Sequence, residues 1–262
     1  MKDVNLKCIL MFSTALVGVL NGCSNREFNN KKTEIAVTNS YLQCVVKDLC
    51  GDDTEILCLA PPGMCPGHFD ISPMQIKQLC DCKILLLFDF QQKIEDSLSR
   101  MKKNGLKTAL LKPLPGLCVP ETYVVACREV ADILSKEYPE RQTQYEQRLK
   151  LIEKRMKELS LELRTAVEQT GIKAAEVVVS DHQAKFANWL GVEIIATFQG
   201  SDTETAFNVN QYLTNAKSRN VRFIIANKQE GTALADVLAD RLQAKAVVFS
   251  NFPEINADSN GF

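Results

Sequence analysis

The feature that most constrains the fold is a long stretch without helix-breaking residues. Between Pro139 and Gly171 the chain contains neither glycine nor proline. Apolar residues recur there at helical spacing, at Leu149, Ile152, Met156, Leu159 and Leu163. About 30 helical residues span roughly 45 Å, the width of a domain. The pattern is typical of a coiled-coil stalk or a rigid connecting helix, and we favour the connecting helix because a new pattern begins directly after Gly171.

Short apolar runs alternate with amphipathic segments on both sides of this helix. The predicted strands cover residues 34–37, 55–59, 84–88, 107–111, 176–179, 192–197, 221–226 and 246–249. Strands that alternate with helices are typical of parallel sheets with right-handed crossovers. We therefore predict an α/β protein with two parallel-sheet lobes, a long rigid connecting helix and a ligand cleft between the lobes.

The start of the chain has the layout of a secretory signal. Lysines near the N-terminus precede an apolar run at residues 8–20, which is too short for the ~20 residues that span a bilayer. Leu20-Asn21-Gly22-Cys23 resembles the bacterial lipobox, in which the cysteine becomes a lipid-modified N-terminus. We predict lipidation at Cys23 and an extracytoplasmic protein that is lipid-anchored to a bacterial membrane, in the periplasm or at the cell surface. An ordinary signal followed by a chance cysteine is the alternative.

These patterns divide the chain into five parts. They are a signal peptide (1–22), a lipidated tether (23–33), an N-terminal α/β lobe (34–121), connecting helices (122–171) and a C-terminal α/β lobe (172–262). The formal net charge is −1, and this lack of basic excess argues against a nucleic-acid partner.

Cysteine is concentrated in the first half of the chain. All ten cysteines lie before residue 128, and eight of them follow Cys23. An even number of cysteines in an oxidising compartment suggests disulfides, although the pairing is not fixed by sequence.

Catalytic motifs are not found. The sequence has two histidines, His68 and His182, and contains no Gly-x-Ser-x-Gly elbow, phosphate-binding glycine loop or His-Glu-x-x-His helix. We predict that the protein is not an enzyme.

The punctuation of the chain resembles a known family. The relevant pieces are Val37-Thr38-Asn39-Ser40 with Asp48-Leu49-Cys50-Gly51, Pro61-Pro62-Gly63, Tyr138-Pro139-Glu140, and Phe186 with Leu190-Gly191-Val192. In order and spacing they are similar to the zinc and manganese solute-binding lipoproteins of ABC importers. The resemblance implies a protein that binds a divalent transition metal ion between its lobes and delivers it to an ABC transporter membrane permease. We expect a monomer, with zinc as the first choice and manganese or copper(I) as alternatives.

The family's metal ligands are changed in this sequence. In the family, three histidines, one of them replaceable by a carboxylate, and one further carboxylate hold the ion. The matching positions here are Gly67, with His68 next to it, then Glu121, Ser180 and Asn251. His182 lies two residues after Ser180. The resemblance therefore implies the fold more firmly than the inherited ligand set.

A rebuilt site can be proposed from the loops that follow first-lobe strands. Cys65 and His68 lie in one loop, and Cys118 and Glu121 lie in another. Loops at the carboxyl ends of parallel strands meet in a crevice, where His182 could close the site from the second lobe. Thiolate and imidazole ligands suit zinc or copper(I).

Each of these candidates has a structural alternative. Cys65 and Cys118 could instead form a disulfide, which excludes a thiolate site, or could be inert buried thiols. Glu121 could interact only with a helix dipole, and either histidine could be structural. For the whole protein, the alternatives are a structural or interaction lipoprotein that has lost metal binding and a binder of a larger metal chelate.

Overall fold

The computed structural model describes most of the chain after the N-terminal segment. The described residues are 33–51, 54–60, 64, 69–91, 94, 98, 101–102, 104–112, 114–200 and 205–253. The predicted signal peptide, Cys23, Cys65 and His68 lie outside these ranges.

The first lobe is built on a four-stranded parallel sheet. Its strands are β1 (Ile35–Val37), β2 (Ile56–Cys58), β3 (Ile84–Phe88) and β4 (Lys107–Leu111), in the order β2-β1-β3-β4. Helix α1 (Ser40–Cys50) follows β1, and helix α2 (Pro73–Leu79) precedes β3. All five residues of β3 are buried, as expected for a central strand that is covered on both faces.

Two antiparallel helices leave the first lobe. Helix α3 (Pro120–Glu137) is followed by a 3₁₀ turn at Pro139–Arg141 and by the 28-residue helix α4 (Gln142–Gln169). Tyr145 and Ile152 of α4 are buried in the first-lobe core. Along the pair, Arg128 forms an ion pair with Glu153. The predicted long connecting helix is confirmed.

The second lobe repeats the parallel arrangement. Its strands are β5 (Glu176–Ser180), β6 (Glu193–Phe198), β7 (Val221–Asn227) and β8 (Lys245–Phe249), in the order β6-β5-β7-β8. Helices α5 (Asp181–Leu190), α6 (Ala206–Ala216) and α7 (Ala233–Leu242) connect them. The predicted fold class, two parallel-sheet α/β lobes joined by a long helix, is confirmed.

A short segment after β8 returns to the first lobe. We call residues 250–253 the crossover segment. Phe252 in this segment is 7% exposed and packs in the first-lobe core, which also contains Tyr41 and Ala126. The chain therefore connects the lobes twice, once through α4 and once through Phe252.

Among the described residues, no helix combines the length and the apolar composition that a membrane span needs.

A half-buried carboxylate, that of Asp48, lies where α1 meets α3 and α4. The Tyr123 hydroxyl donates to Asp48 Oδ2 at 2.7 Å, and Arg148 Nε donates to the Asp48 carbonyl oxygen. Burial raises the pKa of Asp48, and the Tyr123 hydrogen bond and the charges of Arg148 and Arg155 only partly offset that rise. Ionised Asp48 therefore costs folding free energy near neutral pH.

We expect Leu86→Ala to destabilise the protein by about 2–5 kcal/mol, because Leu86 is fully buried in β3 and its truncation leaves a cavity. The matched control is Leu161→Ala on α4, whose side chain is 68% exposed, and its effect should stay within about 0.5 kcal/mol. Urea denaturation of both variants measures the difference. Equal midpoints would contradict the position of β3 in the core.

We expect Asp48→Asn to stabilise the protein at pH 7, because the amide can still accept from Tyr123 but carries no partly desolvated charge. The raised pKa means that the wild type recovers stability as the pH falls toward the unfolded value of about 3.9. The advantage of the variant should therefore shrink between pH 7 and pH 4 in urea titrations. The exposed Asp132→Asn is the control, and a pH-independent advantage would contradict this assignment.

Candidate metal site

Three of the predicted ligands lie in the described structure, each at or near the N-terminus of a helix. Cys118 lies two residues before the start of α3, and Glu121 lies in the first turn of that helix. His182 lies in the first turn of α5, where Ser180 Oγ accepts a hydrogen bond from the His182 amide. Because α5 follows β5, His182 is at the carboxyl end of the second-lobe sheet, where ligands of such folds bind.

His182 is paired with a carboxylate. Its Nδ1 lies 2.9 Å from Glu230 Oε1, and Glu230 Oε2 accepts from the Ser180 hydroxyl at 2.5 Å. The Glu230 hydrogen bond raises the pKa of His182 against the effect of burial. Burial opposes ionisation of Glu230, but the His182 and Ser180 hydrogen bonds lower its pKa overall. No hydrogen bond from the described residues engages His182 Nε2, and the side chain is 62% exposed.

The first lobe contains an arrangement equivalent to Ser180 and Glu230, but without charged groups. We call this arrangement the strand-end frame. Val37 pairs with Leu86, and Val179 pairs with Ile225. In each lobe the residue after the β1 or β5 member of the pair carries a hydroxyl group. This hydroxyl bonds to a side chain in the 3₁₀ turn after β3 (Asp89–Gln91) or β7 (Lys228–Glu230). That side chain lies five residues after the β3 or β7 member of the pair. In the first lobe this is Thr38 with Gln91 at 2.6 Å, and in the second it is Ser180 with Glu230.

The strand-end frames of the two lobes differ in the charge of their side chains. In the first lobe the 3₁₀-turn residue is the neutral Gln91, and the position two residues after the hydroxyl is the buried Ser40. The second lobe has Glu230 and His182 in their places. In the first lobe the strand-end frame is thus closed by neutral groups, so the frame as such does not need an imidazole–carboxylate pair.

The Cys118 side chain contacts the crossover segment that follows β8. Its thiol lies 3.4 Å from both the Ser250 carbonyl oxygen and Asn251 Oδ1, which it faces as a donor. Burial raises the pKa of the Cys118 thiol, and a hydrogen bond with Gln183 partly offsets that rise. Gly116 adopts a φ of 73°. The loop before Cys118 also lies close to α5, because a Cβ at Gly116 would be 2.7 Å from Lys185 Cγ. This contact leaves no room for a larger residue at position 116.

A network of amides lies behind Cys118. Gln183 is fully buried, and its Nε2 donates to Asn227 Oδ1 at 3.2 Å and to Asn251 Oδ1 at 3.0 Å. Gln183 Oε1 is buried without a hydrogen-bond partner in the described part of the chain. Such an acceptor is costly to leave unpaired, so this part of the interface suits a ligand that carries a donor or a positive charge.

Glu121 is held differently. Its Oε1 accepts from the Ser160 hydroxyl at 3.1 Å, which ties the start of α3 to α4. Within the described ranges, no three His, Cys, Asp or Glu residues form a group that could hold a metal ion. The structure thus does not bring Cys118, Glu121 and His182 together as one such group. The full set with Cys65 and His68 stays a prediction, because those two residues lie outside the described ranges.

The seven described cysteines all carry free thiols, Cys118 among them. The alternative pairing of Cys118 with Cys65 stays a prediction, because Cys65 lies outside the described residues.

Sequence reasoning missed Glu230 and Gln183, and it treated Asn251 only as a lost ligand. Glu230 does carry a sequence signal, because it follows a buried strand and precedes Gly231, and parallel strands end in the same crevice. Gln183 carries no comparable signal, because a glutamine at helical spacing is usually exposed.

A cavity of about 780 Å³ opens behind Cys118 and Asn251. Its wall includes Tyr41, Tyr123, Arg148 and Arg155 together with apolar residues of α4, namely Leu151, Ile152, Met156 and Leu159. This volume lies within the range of 300–1,000 Å³ that is typical of small-molecule pockets.

Solved structures share this fold. A crystal structure of ZnuA superposes with a TM-score of 0.72 at 18% identity, covering 85% of this chain and 92% of that one. The periplasmic zinc-binding protein TroA from Treponema pallidum gives 0.69 at 14% identity, with 87% and 92% covered. A cadmium-bound periplasmic metal-binding protein from Candidatus Liberibacter asiaticus gives 0.70 at 14% identity, with 88% and 93% covered. At these identities the likeness establishes the fold alone.

The sequence itself supplies the relationship. The family model of ZnuA, described as zinc-uptake complex component A, periplasmic, matches residues 119–262, more than half of the chain. That region includes α3, α4 and the whole second sheet. The chain therefore belongs to the ZnuA family, as its resemblance to metal-binding solute-binding proteins had indicated.

Proposed function

We propose that this protein is the extracytoplasmic solute-binding component of a metal importer. It binds a transition-metal ion, zinc first, between its lobes and delivers it to an ABC transporter membrane permease. The observation that carries the proposal is the His182–Glu230 pair, which replaces neutral groups on a frame that the first lobe also contains. Membership of the ZnuA family supports the same role.

The chemistry of the pair suits a metal ligand. A metal-binding histidine usually donates its other ring N–H to a carboxylate, which fixes the tautomer and the ring orientation. Glu230 accepts from His182 Nδ1 in this way, and this leaves Nε2 for the ion. Glu230 is itself held by Ser180, so the imidazole is oriented before the metal arrives.

The remaining candidate ligands in this proposal are Cys65, His68, Cys118 and Glu121. Because Cys118, Glu121 and His182 do not form one group in the described structure, the ion would have to draw Cys118 or Glu121 toward His182. Thiolate and imidazole donors favour zinc or copper(I), and the carboxylate keeps manganese as an alternative. The ion is cargo in this proposal, and no catalytic step is involved. Anchoring through a lipid at Cys23, a monomeric state and the domain boundaries given above complete the proposal.

We expect the chain from Ser24 onward, purified under reducing conditions without chelator, to bind close to one equivalent of zinc. His182→Ala should weaken binding in a competition titration with a chromophoric chelator. Asn188→Ala, an exposed residue two turns along the same helix, is the matched control and should bind like the wild type. A wild type that takes up no zinc, manganese or copper(I) would contradict the proposal and favour a structural or interaction lipoprotein.

Glu230→Gln gives a sharper comparison, because it recreates the neutral arrangement of Thr38 with Gln91 in the first lobe. We expect the fold to be kept and the zinc affinity to fall by about 10–100-fold, as is usual when the carboxylate behind a metal-binding histidine is lost. Thermal unfolding without metal checks the fold, and the same titration checks affinity. An unchanged affinity would remove Glu230 from the site.

A second candidate function is the binding of a larger metal chelate. The cavity behind Cys118 favours it, because the cavity is lined by Tyr41 and Tyr123 and by Arg148 and Arg155. Aromatic and cationic groups together suit a bulky anionic chelate.

We expect Arg155→Ala to leave binding of free zinc unchanged if the ion is the cargo. If a chelate is the cargo, the same variant should weaken binding of a ferric catecholate probe, followed by quenching of Trp189. Wild-type protein that binds the probe and shows no free-zinc binding in the competition titration would favour the chelate. Zinc binding with no response to the probe would exclude it.

A further inference from the structure

Asn251 makes contacts on both sides of the lobe interface. It is 7% exposed and lies in the crossover segment directly after β8. Its Oδ1 lies 3.0 Å from Gln183 Nε2 and 3.4 Å from the Cys118 sulfur. Its Nδ2 donates to the His182 carbonyl oxygen in a long hydrogen bond of 3.5 Å. One amide therefore touches two residues that are proposed ligands from different lobes.

The backbone around Asn251 is held from the second lobe. Gln229 Oε1 accepts from the Asn251 backbone N–H at 3.1 Å, and Gln229 Nε2 donates to Ser250 Oγ at 2.8 Å. Ser250 Oγ in turn donates to the Phe252 carbonyl oxygen at 2.7 Å. Gln229 is adjacent to Glu230, so the crossover segment and the carboxylate behind His182 share one 3₁₀ turn.

The crossover segment is also held from the first lobe. Phe252 is buried in the first-lobe core with Tyr41 and Ala126. Truncating a buried phenylalanine is strongly destabilising, so Phe252 is a firm attachment to the first lobe. The segment is thus fixed at Phe252 by the first lobe and at Ser250 by the second, and the Asn251 side chain points into the interface between these two points.

The chemistry of an amide fits this position. An asparagine side chain offers an acceptor and two donors, and Asn251 uses the acceptor toward Cys118 and Gln183 and a donor toward His182. A side chain without the amide would leave the Gln183 nitrogen with one acceptor fewer. It would also remove the contact that locates the Cys118 sulfur relative to α5.

We infer that Asn251 is a positioning residue that sets the relative placement of Cys118 and His182 across the lobe interface. This inference rests on the proposed function. Asn251 acts through the groups that it contacts, the Cys118 thiol and the His182 backbone carbonyl, and does not ligate the ion itself. Cys118 and Asn251 are 133 residues apart, so their contact depends on the packing of one lobe against the other.

The test compares zinc affinity and the cobalt(II) spectrum in the wild type, Asn251→Ala and Leu238→Ala. Leu238 is a residue of α7 that is fully buried in the second-lobe core, so its variant loses stability without touching the interface. We expect Asn251→Ala to bind zinc about 10–100-fold more weakly and to lose intensity in the sulfur-to-cobalt charge-transfer band. Leu238→Ala should lower the melting temperature and keep both the affinity and the spectrum.

Asn251→Ala with wild-type affinity and an unchanged cobalt spectrum would overturn the inference, and so would an equal loss in Leu238→Ala. If Asn251→Ala does not fold, Gln183→Met removes the amide partner at similar volume and should give the same weakening. A wild type that binds none of zinc, cobalt, manganese and copper(I) would overturn the proposed function itself, a result distinct from a loss confined to Asn251→Ala.

Discussion

Parallel pairing forces the strands of each sheet to end at one edge, and this constraint organises the rest of the molecule. Each sheet has its first and third strands side by side, β1 with β3 and β5 with β7. The chain leaves these neighbours in opposite directions across the sheet, so a crevice forms between their carboxyl ends. Thr38 and Gln91 occupy that place in the first lobe, and Ser180, His182 and Glu230 occupy it in the second.

The two lobes use the same frame for different purposes. In the first lobe a hydroxyl and an amide satisfy each other, which is sufficient to close the strand end. In the second lobe a carboxylate takes the place of the amide and gains an imidazole partner. The His182 side chain is 62% exposed, and an ion pair with an exposed partner adds little stability because water screens its attraction. We therefore interpret the pair as a binding element rather than a structural one.

The link between the lobes has two components with different mechanics. Helix α4 is a continuous rod whose buried residues Tyr145 and Ile152 fix it to the first lobe. The crossover segment closes the other side through Phe252 and places Asn251 beside Cys118. Two connections resist wide hinge opening more than one does. A site at this interface is therefore expected to adjust through side chains and loops more than through large rotations of the lobes.

The sequence by itself determined the two α/β lobes, the strands and the long helix, because hydrophobic periodicity is a local property of the chain. It also indicated the family and the place of Cys118, Glu121 and His182 at element ends. Only the tertiary structure decided which groups meet. Ser180 and Glu230 are 50 residues apart and come together through the pairing of β5 with β7. Glu121 turned toward Ser160, and Cys118 toward Asn251, because helix and lobe packing set these contacts and neither is encoded in local spacing.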